Sequence, residues 1–289
     1  MLAKMFMKAP IMMMKRTMCA VFPALLLAML LCPALAQAAA QAPAQNFTLS
    51  YAVYAGGFHA LDTEMRFALS SRDYKLVMEA RPYGVIGSLL PWAGSYTTKG
   101  HIANNVFIPD THDKTSRWKE DNSQASFVYR NGTLVSLSRA ELEQGKMRRE
   151  NIALDPAFHK NSVDILSGAL QLLGQATRTD NCSAAPVIFD GKQRFTLKFT
   201  DKGTEKLNAN NYNIFSGTAR ICEVEMIPER GFPRKPRGYH KIQEEARTKG
   251  QLPRVWLGRL WNGGPYVPVK MLVKSEYGAV FLHIRNVAR

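Results

Sequence analysis

From Leu49 onward, apolar side chains fall on every second position. Leu49, Tyr51, Val53 and Ala55 alternate with smaller or polar residues. Leu61, Thr63, Met65, Phe67 and Leu69 do the same against Asp62, Glu64 and Arg66, and Tyr74, Leu76 and Met78 continue the series. A period of two is the signature of a strand with one apolar and one wet face. Similar runs occur at 94–102, 125–130, 133–138, 186–189, 193–200, 213–227, 253–260, 266–275 and 279–287. Turn residues such as Asn131-Gly132 and Tyr277-Gly278 separate them, so the spacing predicts an antiparallel sheet of about 10–14 strands.

One segment carries a helical period instead. In N-S-V-D-I-L-S-G-A-L-Q-L-L-G, residues 161–174, Val163, Leu166, Leu170 and Leu173 line one stripe. Ser162 can cap its start and Gly174 can end it. Such a stripe has to be buried, most simply against the apolar side of the sheet. The fold class predicted is mainly β: an antiparallel open barrel or β-spiral wrapping one central α-helix. The apolar piece V-I-G-S-L-L-P-W at 85–92 reads as a helical turn or as a loop covering a barrel mouth.

Parity fixes the register around Gly56-Gly57. Opposed residues of an antiparallel pair share a face. A two-residue hairpin over the glycines would set Tyr51 opposite Asp62 and Leu49 opposite Glu64, which puts carboxylates in the core. A three-residue loop, Gly56-Gly57-Phe58, sets Val53 opposite Leu61, Tyr51 opposite Thr63 and Leu49 opposite Met65. A continuous strand bent at the glycines keeps the same parity. The same test on V-I-F-D-G-K-Q-R-F predicts a three-residue loop at Asp190-Gly191-Lys192, with Val187 opposite Phe195.

The N-terminus adds a compartment. Lys15-Arg16 precede the apolar run Met18 to Leu31, which is followed by Pro33 and A-L-A-Q-A-A-A. A positive start, a short apolar core and an A-x-A site make a cleavable secretory signal over 1–38, cut after Ala38 or Ala36. The run is shorter than the roughly 20 residues of a spanning helix. Cys32 suggests lipid attachment, but Leu31 stands where that processing wants a small residue. The expectation is export to the periplasm of a Gram-negative bacterium, with a spacer at 39–46, one β-rich domain at 47–289 and no transmembrane helix in the mature chain.

Removing the signal leaves two cysteines, Cys182 and Cys222. In an oxidising compartment they are expected to pair, the alternative being two buried thiols. No histidine lies at zinc-ligand spacing from either. Lys4, Lys8, Lys15 and Arg16 leave with the signal, so the formal charge falls from +15 to +11. A surplus of that size suits an anionic envelope surface, while the compartment argues against nucleic acid. The most basic stretch is P-E-R-G-F-P-R-K-P-R-G-Y-H-K within 228–254, read as a Pro-rich loop. Arg230, Arg234, Lys235, Arg237 and Lys241 are its candidate anion-binding residues.

Candidate chemistry is sparse. The glycine pair precedes a strand rather than a helix, and no G-x-x-x-x-G-K or G-x-S-x-G occurs. The six histidines (59, 101, 112, 159, 240 and 283) are scattered, and His112-Asp113 is the one adjacent His/Asp pair. Ser167 falls on the buried face of the helix. No catalytic residue, metal or cofactor is predicted. Apolar surface is plentiful instead: Trp92, Trp118, Trp256 and Trp261 join many Phe and Tyr. An incompletely closed barrel could leave room for an acyl chain. Tyr51, Val53, Leu61, Met65 and Phe67 form the candidate apolar-ligand face.

These features, in this order, resemble the secreted bacterial family labelled domain of unknown function 3108. The resemblance rests on Tyr51-x-Val53 with Gly56-Gly57, Asp164-Ile165-Leu166-Ser167, and Asp190-Gly191-Lys192 with Arg194-Phe195. Cys182 and Cys222 flank the last of these, and Val267-Pro268-Val269 and Tyr277-Gly278 close the chain. It spans roughly 47–287, and the basic insertion near 228–250 is foreign to it. What the resemblance implies is a periplasmic half-barrel similar to lipoprotein carriers, in which a curved sheet wraps a helix and holds lipid. It supplies no catalytic residue. A non-enzymatic envelope protein binding a lipid or other apolar ligand is expected; the alternative is an envelope structural or interaction protein that takes a protein partner or polyanion through its basic loop.

Overall fold

The computed structural model describes residues 44–85, 91–119, 121–143, 146–234, 239–275 and 278–289. The signal segment with Ala36 and Ala38, the centre of the 85–92 piece, Lys235, Arg237 and Tyr277 lie outside them. Fourteen described strands form one antiparallel sheet. They are β1 (Gln45–Ala55), β2 (Phe58–Leu69), β3 (Asp73–Pro82), β4 (Trp92–Ala103), β5 (Val106–Trp118), β6 (Asp121–Arg130), β7 (Thr133–Glu143) and β8 (Lys146–Asn151). There follow β9 (Val187–Phe189), β10 (Arg194–Leu207), β11 (Gly217–Arg230), β12 (Arg254–Arg259), β13 (Tyr266–Ser275) and β14 (Gly278–Ala288). Two meanders, β1 to β8 and β9 to β14, meet where β1 pairs with β14, and β8 and β9 are the edges.

The sheet is antiparallel and open, as its alternation predicts. A single helix is not what the described residues contain. Helices α1 (Pro156–His159), α2 (Ile165–Thr179) and α3 (Tyr239–Thr248) lie between strands. The third falls inside 228–254, so that segment is not one loop: residues 228–230 finish β11, and Arg254 opens β12. No proline lies between 236 and 253, and Y-H-K-I-Q-E-E-A-R-T is free of glycine and rich in helix formers. Lys241 and Glu245 pair at 3.3 Å one turn apart.

The β1–β2 turn resolves the parity question in a third way. Val53 faces Leu61, Tyr51 faces Thr63 and Leu49 faces Met65, the register that keeps carboxylates out of the core. The turn itself is nevertheless two residues long, because Ala55 faces Phe58 and Tyr54 faces His59. Ala60 is an extra residue on β2, a bulge that restores the parity. Gly56 and Gly57 hold φ of 57° and 89°, the mirror-image turn that fits strand twist. A β-carbon on Gly57 would meet nothing within 4 Å, so substitution there tests the backbone alone. Gly57→Val is expected to cost about 1–2 kcal/mol, read as a lower urea midpoint. A midpoint equal to wild type would remove the requirement for positive φ.

The 190–193 turn departs from expectation. Phe189 faces Arg194 and Ile188 faces Phe195, which makes a four-residue loop. Asp190 sets its length: Oδ1 accepts from the amides of Lys192 at 2.8 Å and Gln193 at 2.7 Å. The turn reaches across to the other meander. Lys114 Nζ donates to the Asp190 carbonyl at 2.6 Å, and Arg139 donates to that of Gly191. Phe189 also joins Phe127, Tyr129, Leu134 and Leu137 in a small second core. Side chains, not ladder bonds, thus bring the two ends of the sheet into contact.

Helix α2 enters the main core. Leu166, Leu170, Leu172, Leu173 and Ala176 pack with Phe47, Leu49, Tyr51, Phe67, Tyr74 and Leu76 of the first meander. Val255, Leu257, Val267, Val269 and Ile284 of the second complete the cluster. Its caps differ from the sequence reading. Asp164, not Ser162, is the N-cap, and Asp180 in the left-handed conformation ends it. Gly174 is interior and allows a close approach: a β-carbon there would sit 2.6 Å from Phe107 Cε2. Cys182 and Cys222 are joined, which ties the chain just beyond α2 to β11.

Candidate functional site

The candidate apolar face is mostly filled. Tyr51 is 1% exposed, donates its hydroxyl to the Pro268 carbonyl at 3.0 Å, and has its phenol pKa driven up by burial. Phe67 stacks on Phe47 with centroids 4.6 Å apart, and Met65 packs against the same core. Val53 and Leu61 are half-buried near the glycine turn. Of the five, only Phe67 borders the nearest apolar space.

That space is a cavity of about 280 Å³ beside the second half of α2. Phe47, Phe67, Leu69, Ile102 and Phe107 wall it from β1, β2, β4 and β5. Leu170, Leu173 and Gly174 close it from the helix, and Pro265, Tyr266 and Val267 from β13 and the turn before it. Sequence reading could name several of these residues as apolar but could not assemble them, since they span 45–267. Ser70, Ser71, Asn105, Thr177 and Arg178 make the polar rim.

The rim lies at the C-terminal end of α2, where charges are organised. Asp180 accepts from Arg220 at 2.9 Å and from the Tyr266 hydroxyl. The hydrogen bond from the Tyr266 hydroxyl, with the Arg220 guanidinium, outweighs the upward push of burial and holds the Asp180 carboxyl below its usual range. Arg220 also grips both oxygens of Asp201, at 2.9 and 3.0 Å. Arg259 covers the Tyr266 ring at 4.4 Å and donates to the carbonyls of Thr177 at 2.9 Å and Gly264 at 2.5 Å.

A buried polar network sits at the other end of α2. Asp164 Oδ1 accepts from the amides of Leu166 at 3.0 Å and Ser167 at 2.9 Å. Oδ2 accepts from the hydroxyls of Ser167 at 2.6 Å and Thr98 at 3.3 Å. Ser167 also bonds the Tyr74 hydroxyl at 2.9 Å. His112 Nδ1 lies 3.1 Å from Oδ1, within ion-pair range but out of line for a good hydrogen bond. Burial pushes the Asp164 carboxyl up, but His112 and the Ser167 hydroxyl and amide together outweigh it and hold the pKa below the usual range.

Serine, histidine and aspartate thus meet, but not in the order nucleophilic catalysis needs. There the imidazole stands between hydroxyl and carboxylate. Here the carboxylate stands between the other two, and Thr98, His112, Asp164 and Ser167 are each at most 2% exposed. The network caps a helix. The sequence signal that could have found it is D-I-L-S, an aspartate N-cap three residues before a serine. His112 was hidden because its neighbour in sequence, Asp113, points away from the partner it uses.

The three described basic candidates, Arg230, Arg234 and Lys241, are not gathered into one site. Arg230 ends β11 opposite Arg194, and Lys241 pairs with Glu245. Arg234 borders a separate pocket of about 180 Å³ with Phe232, Arg247 and Glu244, where the acid offsets part of the positive charge. No group of three or more His, Cys, Asp or Glu among the described residues could hold a metal. No described helix is long and apolar enough to cross a membrane.

Fold and site together define a large open antiparallel sheet protein whose distinguishing feature is an apolar cavity beside a core helix. Residues 49–285 match the family described as protein of unknown function DUF3108, and the chain belongs to it. Among solved structures, a β-barrel-like DUF1849 protein from Brucella abortus is similar at 8% identity and TM-score 0.41, covering 84% of this chain and 96% of its own. A DUF1329 family protein from Desulfovibrio piger is similar at 11% identity and TM-score 0.22, covering 84% and 85%. No curated protein matches.

Proposed function

We propose that the protein is a non-enzymatic component of the cell envelope, exported to the periplasm, whose sheet forms a half-barrel around α2 and holds a lipid or other apolar ligand. The observation that carries this reading is the cavity of about 280 Å³ walled by Phe47, Phe67, Phe107, Leu170 and Leu173. Apolar walls with a short polar rim suit an acyl chain, because burying methylenes contributes about 0.8 kcal/mol each. Support for export comes from the N-terminal pattern and from a disulfide that an oxidising compartment would sustain. Support for a non-catalytic role comes from the inverted order and burial of the Ser–Asp–His network.

Protein purified from its own periplasm is expected to carry a bound species in native mass spectrometry, released by organic extraction. A spectrum of the unliganded mass alone, with no lipid in the extract, would sink the reading.

A further inference from the structure

We infer that the ligand of this cavity is a single-chain amphiphile with an acidic head group, and that Arg178 holds that head at the rim. This deepens the proposed function and rests on it.

Arg178 is the one charged side chain among the residues that border the cavity. Its neighbours at the end of α2 are already committed: Arg259 to two carbonyls and the Tyr266 ring, and Asp180 to Arg220 and the Tyr266 hydroxyl. Arg178 makes no ion pair or hydrogen bond among the described residues. Its Nη1 lies 3.1 Å from where a β-carbon on Gly174 would sit, so the guanidinium folds back over the helix toward the cavity mouth. Any side chain at 174 would meet Phe107 and crowd both the mouth and that guanidinium.

A basic residue in the last turn of a helix complements its dipole wherever it points, and that accounts for the charge. Helix geometry leans a long side chain back over the residue four before it, which sets this guanidinium above Gly174 at the mouth of an apolar space. An uncommitted guanidinium beside apolar walls is complementary to a carboxylate or phosphate attached to a hydrocarbon chain, which it can take in a two-pronged bond. Size argues for one chain: at about 280 Å³ the cavity falls just short of the usual range of ligand pockets, about 300–1,000 Å³.

The test is calorimetric titration of the full chain at neutral pH with decanoate and 1-decanol, which share a chain and differ in head charge. Wild type is expected to bind decanoate about tenfold more tightly than decanol, the strength of a charge-assisted hydrogen bond at a wet rim. Arg178→Gln should bring decanoate to the decanol value and leave decanol unchanged. Arg178→Glu should shift the preference to decylammonium. Gly174→Leu should block all three, with Leu69→Trp replacing it if that variant fails to fold. Equal affinity of wild type for decanoate and decanol, unaltered in Arg178→Gln, overturns the acidic-head inference and leaves the apolar-ligand reading standing. No binding of either probe overturns that reading too. Binding that survives both cavity-filling variants places the ligand elsewhere and overturns the inference.

Discussion

Asp164→Ala is expected to destabilise the domain by about 3–5 kcal/mol, the range for removing one partner of a buried charged cluster. Three losses coincide. The first turn of α2 loses its cap, worth about 1 kcal/mol. The hydroxyls of Thr98 and Ser167, both fully buried, lose an acceptor. His112 loses the carboxylate 3.1 Å from its ring. Asp164→Asn keeps the volume and one capping oxygen, so about 1–3 kcal/mol is expected for it. Urea unfolding at neutral pH measures both, and an alanine variant within 1 kcal/mol of wild type would contradict the assigned role.

The same carboxylate gives a signed pH dependence. Its folded pKa lies below the unfolded value of about 3.9, so the folded state favours the ionised form. Its stabilisation is fully present above the unfolded value and is lost as pH falls through the folded one. The gap between wild type and Asp164→Asn should therefore narrow on acidification below about pH 4. A gap that widens there would reverse the sign of the shift.

The second large effect belongs to the disulfide. Cys182 and Cys222 are 40 residues apart in sequence, and closing a loop of that length stabilises by about 4 kcal/mol in the chain-entropy description. The bridge also fixes the strand that carries Arg220, which grips Asp180 at the end of α2 and Asp201. Cys182→Ala/Cys222→Ala is expected to lose that 4 kcal/mol or somewhat more, and wild type in reductant should fall to the same urea midpoint. Thiol titration of the denatured, unreduced mature protein should find none free. A midpoint indifferent to reductant would show that the bridge does not stabilise the fold.

Strands with an alternating or continuous apolar run announced themselves, even β12, whose four central residues are all buried. β5 and β8 were missed for opposite reasons. β5 turns His112 and Lys114 inward and carries Pro109 at a bulge opposite Gly100, so its inner positions do not read as apolar. β8, K-M-R-R-E-N, is an edge exposed at every position and has no inner face to alternate against. Helix α3 hid behind the prolines that precede it, since among its described side chains only Gln243 and Ala246 are deeply buried. The Gly56-Gly57 register was legible because a slip would have buried Asp62 and Glu64. The bulge at Ala60 that delivers it was not, because parity counts faces and not residues. The cavity was least legible: Tyr51 and Met65 carry the right pattern, yet α2 and the opposite meander fill the space beneath them. What remains open is bounded by residues far apart in the chain.

The seam between β1 and β14 has a consequence for how the molecule is made. Leu49 pairs with Val287 and Val53 with Leu282, so the first strand to emerge waits for the last. A chain delivered N-terminus first can assemble the β1 to β8 meander early, but one flank of β1 stays bare until β14 arrives. Pairing over such sequence distances is slow and leaves an adhesive strand unprotected meanwhile. Biogenesis thus ends at the middle of the sheet rather than at its rim. A chain stalled before β14 would leave the free flank of β1 open to other strands, so the closing strand also protects the first.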